Sequence, residues 1–212
     1  MAAKIVTVAQ QKGGAGKTTI AAHLAVAFTE AKHRVALIDI DPQQSLTMWF
    51  QQREALYDDA ESALQLNPMR RWRTRRDVAG QTRDADLVLI DSPPHAEAAA
   101  RMAVRTAHLV IVPVQPSPMD VWATMPTLEL ASQERVPVLL VLNRVPPRAN
   151  LTEDMVPEIR QFGAKLARTR LGNRIAFASA LADGLGVGEM EPYGLATEEI
   201  NRLAREVLRT IK

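Results

Sequence analysis

The sequence predicts an α/β fold: a single domain on a mainly parallel sheet with helices on both faces. Three observations predict it. Short apolar, β-branched runs recur along the 212 residues, and most are followed by a longer segment with helical spacing. The first run opens into a glycine-rich loop and then a helix. Two further runs end in aspartate. Repeated strand–helix alternation gives parallel strands joined by helices that cover the sheet.

Each element has its own warrant. Residues 4–9 (Lys-Ile-Val-Thr-Val-Ala) read as a buried strand. Ile20, Leu24, Ala27, Phe28 and Ala31 then recur at helical spacing. Residues 34–41 form a second strand, and residues 45–56 a helix leading out of its loop. A short strand is expected near Leu64-Gln65-Leu66, before the turn signal Asn67-Pro68. Residues 70–81 read as a basic helix, 86–91 as a third main strand and 96–107 as an alanine-rich helix. Residues 109–114 form the fourth main strand. Residues 121–133 read as a helix kinked at Pro126. Residues 136–142 form the fifth. Residues 152–171 read as mainly helical, with Pro157 placed near the start. Residues 175–178 read as a last short strand, and Thr197 as the cap of a final helix.

Composition narrows the function. With 47% hydrophobic and 24% charged residues the chain is globular rather than disordered. It has no cysteine, which excludes disulfides, thiol nucleophiles and cysteine-held clusters. The first residues read as a strand and not as a signal peptide, and no apolar run approaches the ~20 residues of a membrane span. A cytoplasmic protein is expected. The net charge of +2 provides no global basic field, so any nucleic-acid site must be a local patch.

The chemistry starts at Gln11-Lys12-Gly13-Gly14-Ala15-Gly16-Lys17-Thr18-Thr19. Strand, glycine-rich loop and helix are the context of a phosphate-binding P-loop. Gly13, Gly14 and Gly16 let the backbone wrap phosphate oxygens closely, with Ala15 and Thr19 in the same loop. Successive N–H groups and the helix N-terminus attract the anion. Lys17 reaches for the β- and γ-phosphates, and the Thr18 hydroxyl for Mg²⁺. Gln11 stands where the usual pattern has its first glycine, and Lys12 is an extra lysine. In a parallel sheet the ligand crevice lies beyond the carboxyl ends of the strands. There Asp91 takes the position of an aspartate that holds Mg²⁺. Asp39 and Asp41 are candidates to position the attacking water.

Lys12-Gly13-Gly14-Ala15-Gly16-Lys17-Thr18-Thr19, Asp39-Ile40-Asp41-Pro42-Gln43, Ile90-Asp91-Ser92-Pro93-Pro94 and Leu142-Asn143-Arg144 occur in the order of one family. The chain resembles the ParA/MinD deviant Walker A ATPases over nearly its whole length, and the ParA branch in particular. The resemblance implies a P-loop NTPase that binds ATP and Mg²⁺ and forms a homodimer in the ATP state. It makes Lys12 the signature lysine, reaching the phosphates held by the other protomer. Two facing ATP molecules would otherwise repel each other, and a cation from each side neutralises that charge. The resemblance makes Asp41 the main hydrolysis residue and sets Asp39 on the Mg²⁺–water network. It gives Asn143 an adenine contact and has the loop after Pro113 line the base.

It also implies nonspecific DNA binding, a nucleoid location, and a cargo adaptor that stimulates hydrolysis. The cargo could be a plasmid, a chromosome or a protein assembly. Two basic groups are candidates for DNA. One is Met69-Arg70-Arg71-Trp72-Arg73-Thr74-Arg75-Arg76, which could instead face the adaptor; Trp72 is expected to pack inside. The other is Arg160, Lys165, Arg168, Arg170, Arg174, Arg202 and Arg205, with Arg209 and Lys212 on the last helix. Such side chains contact phosphate without reading sequence. The expected departures are the lack of an N-terminal helix-turn-helix domain and of a MinD-like membrane helix. The alternatives are a MinD-like membrane positioner and a metabolic P-loop ligase or kinase.

Overall fold

The computed structural model describes residues 3–57, 63–68, 72, 74–94, 97–147 and 150–211. The chain alternates β1 (Lys4–Val8), α1 (Lys17–Glu30), β2 (Val35–Asp39), α2 (Ser45–Glu54), β3 (Leu64–Leu66), α3 (Arg75–Gln81), β4 (Leu87–Asp91), α4 (Glu97–Thr106) and β5 (Leu109–Val114). It continues through α5 (Pro118–Trp122), α6 (Met125–Gln133), β6 (Val138–Leu142), α7 (Asn150–Gln161), β7 (Lys165–Leu166), α8 (Ile175–Ala182), α9 (Val187–Met190) and α10 (Leu195–Thr210). The described strands form one sheet in the order β3-β2-β4-β1-β5-β6-β7, and every pairing is parallel.

The strands alternate their side chains between two buried faces, as the pleat requires. Val6, Val8, Leu87, Leu89, Leu109, Ile111, Leu139 and Val141 pack on one face with α1, α2, α8 and α10. Ile5, Val88 and Ile90 face the other way with Trp72 and Val78. Val110, Val112, Leu140 and Leu142 face α4, α6 and α7. Burial on both faces explains why these strands read as unbroken apolar runs. Trp72 is 4% exposed, as expected, and its indole N–H donates to Thr106 Oγ1 at 3.1 Å.

Several expected elements are corrected. Residues 175–178 are the first turn of α8 and not a strand, because Ala176, Ala178, Ala180 and Ala182 favour helix. The edge strand is β7, inside the segment read as helical. α7 stops at Gln161, and Gly163, with φ of 70°, turns the chain back toward the sheet. Pro157 lies in the body of α7, not near its start; it is exposed, so water can serve the carbonyl it leaves free. In place of one kinked helix there are two, α5 and α6, with Pro126 in the first turn of α6. Thr197 is not a cap. α10 starts at Leu195, and the Thr197 hydroxyl is shared between Val187 O and Glu191 O. Ile200, Leu203, Ala204 and Val207 of α10 are buried, so its apolar face packs on the sheet layer.

Candidate nucleotide site

The loop between β1 and α1 lies at the carboxyl edge of the sheet. Strand register sets its neighbours: Val8 pairs with Asp91, and Asp91 with Asp39. β1 sits between β4 and β5, so chain connections diverge at the loop and leave a crevice there.

The loop conformation needs glycine. Gly14 has φ of 75° and Gly16 φ of 91°. A Cβ on Gly16 would stand 2.4 Å from Asn143 Nδ2, so an alanine there is excluded both by space and by conformation. Asn143 Nδ2 donates to Ala15 O at 2.8 Å and fixes the back of the loop. Gln115 Nε2 donates to Gly14 O at 3.1 Å and fixes the front.

Lys17 is 7% exposed, and burial lowers its pKa against the opposing pull of Asp91 and Asp41. Thr18 Oγ1 donates to Asp91 Oδ2 at 2.6 Å. Asp91 Oδ1 is buried with no hydrogen-bond partner. Burial pushes the Asp91 pKa up to about 7, partly offset by the Thr18 bond, with Asp39 adding to the rise. An orphaned, buried carboxylate oxygen beside a threonine hydroxyl is a hard oxygen donor set, which suits Mg²⁺. The residues present therefore fit the expected cation.

Asp39 and Asp41 divide their work. Asp39 Oδ1 accepts from Asp41 N at 3.0 Å, and Oδ2 accepts from Thr47 N at 2.9 Å and Thr47 Oγ1 at 2.8 Å. Both Asp39 oxygens thus hold the loop that carries Asp41 onto the first turn of α2. Asp41 Oδ1 accepts from Gln43 N at 3.0 Å, and Asp41 lines the cavity above the P-loop. That cavity measures about 580 Å³ and is lined by Lys17, Thr18, Asp41, Gln43, Trp49 and Ala178 among others.

A second cavity of about 440 Å³ adjoins it, lined by Gly16, Thr19, Asn143, Arg144, Asn173 and Phe177 among others. Asn143, the residue given an adenine contact by the resemblance, lines this second cavity. Pro113 does not. It is inside β5 opposite Val141, with its carbonyl accepting from Gln10 Nε2 at 3.3 Å, and it lines neither cavity. The segment after β5 braces the P-loop instead, through Gln115. Further lining comes from Arg144, Gly172, Asn173, Arg174, Ile175 and Phe177; of these the sequence singled out Arg144 and Arg174, but for other roles. The one signal in the sequence was that Arg144 closes the Leu142-Asn143-Arg144 motif; in the structure it has φ of 51°, a conformation uncommon for a side-chain-bearing residue.

Lys12 turns away from the phosphate cavity. Its Nζ lies 2.8 Å from Asp120 Oδ1 on α5, and Ser117 Oγ hydrogen-bonds the other Asp120 oxygen. The front of the loop is tied to the same region. Gln10 is buried among Thr124 and Thr127, and Gln11 N donates to Thr127 Oγ1 at 3.2 Å. Exposed Met119 and Trp122 flank Asp120 in the chain.

The basic candidates split. Arg174 makes two hydrogen bonds to Glu199, at 3.0 and 2.6 Å; Arg170 pairs with Glu153 and Arg202 with Glu198. Lys165 Nζ donates to Thr210 Oγ1 at 3.0 Å. Arg160, Arg168 and Arg205 have no ion pair among the described residues. In the first cluster, Arg75 caps the end of α4 by donating to Thr106 O and Ala107 O. Arg70, Arg71, Arg73 and Lys212 lie outside the described residues. Among the described residues no helix is long and apolar enough to cross a membrane.

A parallel sheet, a P-loop at its switch point and a buried aspartate facing the loop threonine define a P-loop nucleotide-binding protein. The family described as CobQ/CobB/MinD/ParA nucleotide binding domain matches residues 6–187, and the chain belongs to it. Maintenance of carboxysome distribution protein A of Halothiobacillus neapolitanus is 30% identical, over 95% of this chain and 94% of its own. Chromosome-partitioning ATPase Soj of Thermus thermophilus is 26% identical, over 98% of this chain and 96% of its own. A solved ATP complex of a Cyanothece McdA variant superposes with a TM-score of 0.78 at 17% identity, over 98% of this chain and 97% of that one, a likeness of fold.

Proposed function

We propose that this chain is an ATPase switch that dimerises around ATP and Mg²⁺, binds DNA without sequence preference, and positions a cargo inside the cell. The observation that carries this reading is the combination at one crevice of the glycine cradle, buried Lys17, and Asp91 with one oxygen filled by Thr18 and one orphaned. The likeness over nearly the whole chain to a carboxysome distribution protein favours a protein assembly as cargo.

The residues then take distinct roles. The P-loop amides and Lys17 bind the phosphates. Thr18 and Asp91 would hold Mg²⁺, which when bound would supply charge neutralisation to the phosphates. Asp41 orients the water, and Asp39 keeps the Asp41 loop in place. Lys12 leaves Asp120 to meet the partner protomer's phosphates, so ATP joins two chains and hydrolysis parts them. Exposed arginines such as Arg160, Arg168 and Arg205 contact DNA phosphates, with the paired Arg170, Arg174 and Arg202 nearby in sequence. An adaptor on the cargo triggers hydrolysis. The protein is cytoplasmic and nucleoid-associated.

Light scattering with ATP and Mg²⁺ tests the switch. Wild type is expected to dimerise, Lys17→Ala to lose nucleotide, and Lys12→Ala to bind ATP and stay monomeric. A Lys12→Ala dimer that still forms with ATP removes the signature-lysine role. Asp41→Ala should remain a DNA-bound dimer, and wild-type turnover by that variant rejects the role of Asp41. DNA affinity should fall steeply with salt; salt-independent binding rejects the phosphate-contact reading.

A further inference from the structure

One buried polar side chain behind the P-loop is left without a role by the reading above. His23 lies on α1, six residues after Lys17, and is 1% exposed. Its ring bridges two other elements. Val187 N–H, at the start of α9, donates to Nδ1 at 3.3 Å. Nδ1 is therefore the acceptor, and Nε2 carries the proton that it donates to Phe177 O on α8 at 3.0 Å. The imidazole also sits 5.2 Å from the Phe177 ring, tilted by 56°.

Phe177 is part of the wall of the 440 Å³ cavity that adjoins the phosphate cradle. His23 stands just behind that wall. A void of about 10 Å³ is lined by His23 together with Thr19, Asn143 and Phe177, and these three also line the larger cavity. α8 presents Ala178 and Leu181 to both cavities. The far end of α8 is secured separately: Arg53 of α2 donates to Gly184 O at 3.4 Å and to the Glu189 carboxylate at 2.7 and 2.6 Å. At the end of α8 next to the second cavity, His23 joins it to the P-loop helix by its hydrogen bond to Phe177 O.

We infer that His23 is a positioning residue for the base of the nucleotide, holding the α8 wall of the second cavity in register with the P-loop helix. It touches no ligand itself. Its bond to Phe177 O sets the distance between the phosphate cradle and the α8 wall, and its bond from Val187 N–H holds the ring in place; a nucleoside triphosphate needs that fixed distance and a bare phosphate chain does not. The inference rests on the nucleotide reading of the crevice, with Asn143, the residue the resemblance assigns to adenine, marking the second cavity as the side of the base.

Calorimetry with two ligands, ATP–Mg²⁺ and inorganic tripolyphosphate–Mg²⁺, tests it. His23→Ala removes the tie to Phe177 O on α8 and leaves the buried Val187 N–H of α9 unpaired, so ATP should bind roughly tenfold more weakly. Tripolyphosphate affinity should stay unchanged. His23→Gln places its amide near the Nε2 position, keeps the Phe177 bond and should restore ATP affinity; His23→Asn reaches only the Nδ1 position and should not. A folded His23→Ala that weakens both ligands equally, or neither, overturns the inference, as does rescue by Asn and not by Gln. Should His23→Ala not fold, the wild type carries the test by NMR of the imidazole nitrogens. ATP should shift the His23 signals and tripolyphosphate should not; equal shifts overturn it. Failure of wild type to bind ATP at all is a different outcome, which removes the nucleotide reading.

Discussion

Asp91→Asn should make the nucleotide-free protein more stable near neutrality while removing its Mg²⁺-dependent activity. Asp91 is fully buried, its Oδ1 has no partner, and its pKa is raised from 3.8 to about 7. The folded state thus keeps a proton that the unfolded chain releases. A group raised in this way stabilises the fold below its unfolded pKa, and that contribution is lost as pH rises from about 4 through about 7. The rise from 3.8 to about 7 corresponds to roughly 4 kcal/mol of lost stability above that window. An amide carries no charge and still accepts from Thr18, but leaves an unpaired N–H that costs about 1–3 kcal/mol. The variant should therefore gain about 1–3 kcal/mol at about pH 8, or several degrees in Tm for a chain of this size. At about pH 5 the wild-type carboxyl is already protonated, and the gain should vanish or reverse. Urea denaturation at both pH values, without nucleotide, measures this. A variant destabilised by the same margin at both refutes the reasoning. The fold then holds Asp91 at a cost to stability, and the cation that relieves it is the one the site uses.

Three other outcomes follow from separate parts of the structure. Arg53→Ala should cost about 2–4 kcal/mol, because it strands the half-buried Glu189 carboxylate at the α2–α9 junction, and chemical denaturation reads it; a loss below about 0.5 kcal/mol contradicts the pair's role. The His23 pKa is lowered by burial to about 4, so stability should drop as pH falls from about 6.5 to about 4, by up to roughly 3 kcal/mol. This slope opposes that of Asp91 in wild type, so melts should be recorded in the Asp91→Asn background, where a flat profile removes the effect. Asp120→Ala frees Lys12 from a partly exposed ion pair worth about 1 kcal/mol, so half-maximal dimerisation should need roughly fivefold less ATP; a rise shows that Asp120 supports the dimer.

Legibility in the sequence follows the range of the physics. The P-loop, Asp91 and the strands β1, β2, β4, β5 and β6 are readable because phosphate wrapping and two-sided burial impose local patterns. Residues 175–178 mislead because a short apolar run has no period long enough to separate strand from helix. Only the vacant edge beside β6, filled by Lys165 and Leu166, decides between them. Pro113 is misplaced at the base for a similar reason. It lies inside β5, one residue before the strand's end, and only the packing shows its carbonyl turned toward Gln10.

The arginines make the same point in charge. Arg170 finds Glu153 seventeen positions away, and Arg174 finds Glu199 twenty-five positions away. No spacing rule along the chain reveals such pairs. Contiguous residues suffice for the family, the sheet and the phosphate chemistry, since each is written in a local pattern. Packing alone settles which residues wall the second cavity, that Asp39 holds the Asp41 loop, that Lys12 rests on Asp120, and which arginines are paired. Those outcomes depend on contacts between segments far apart in the chain, where burial and pairing are set only once the sheet has brought them together.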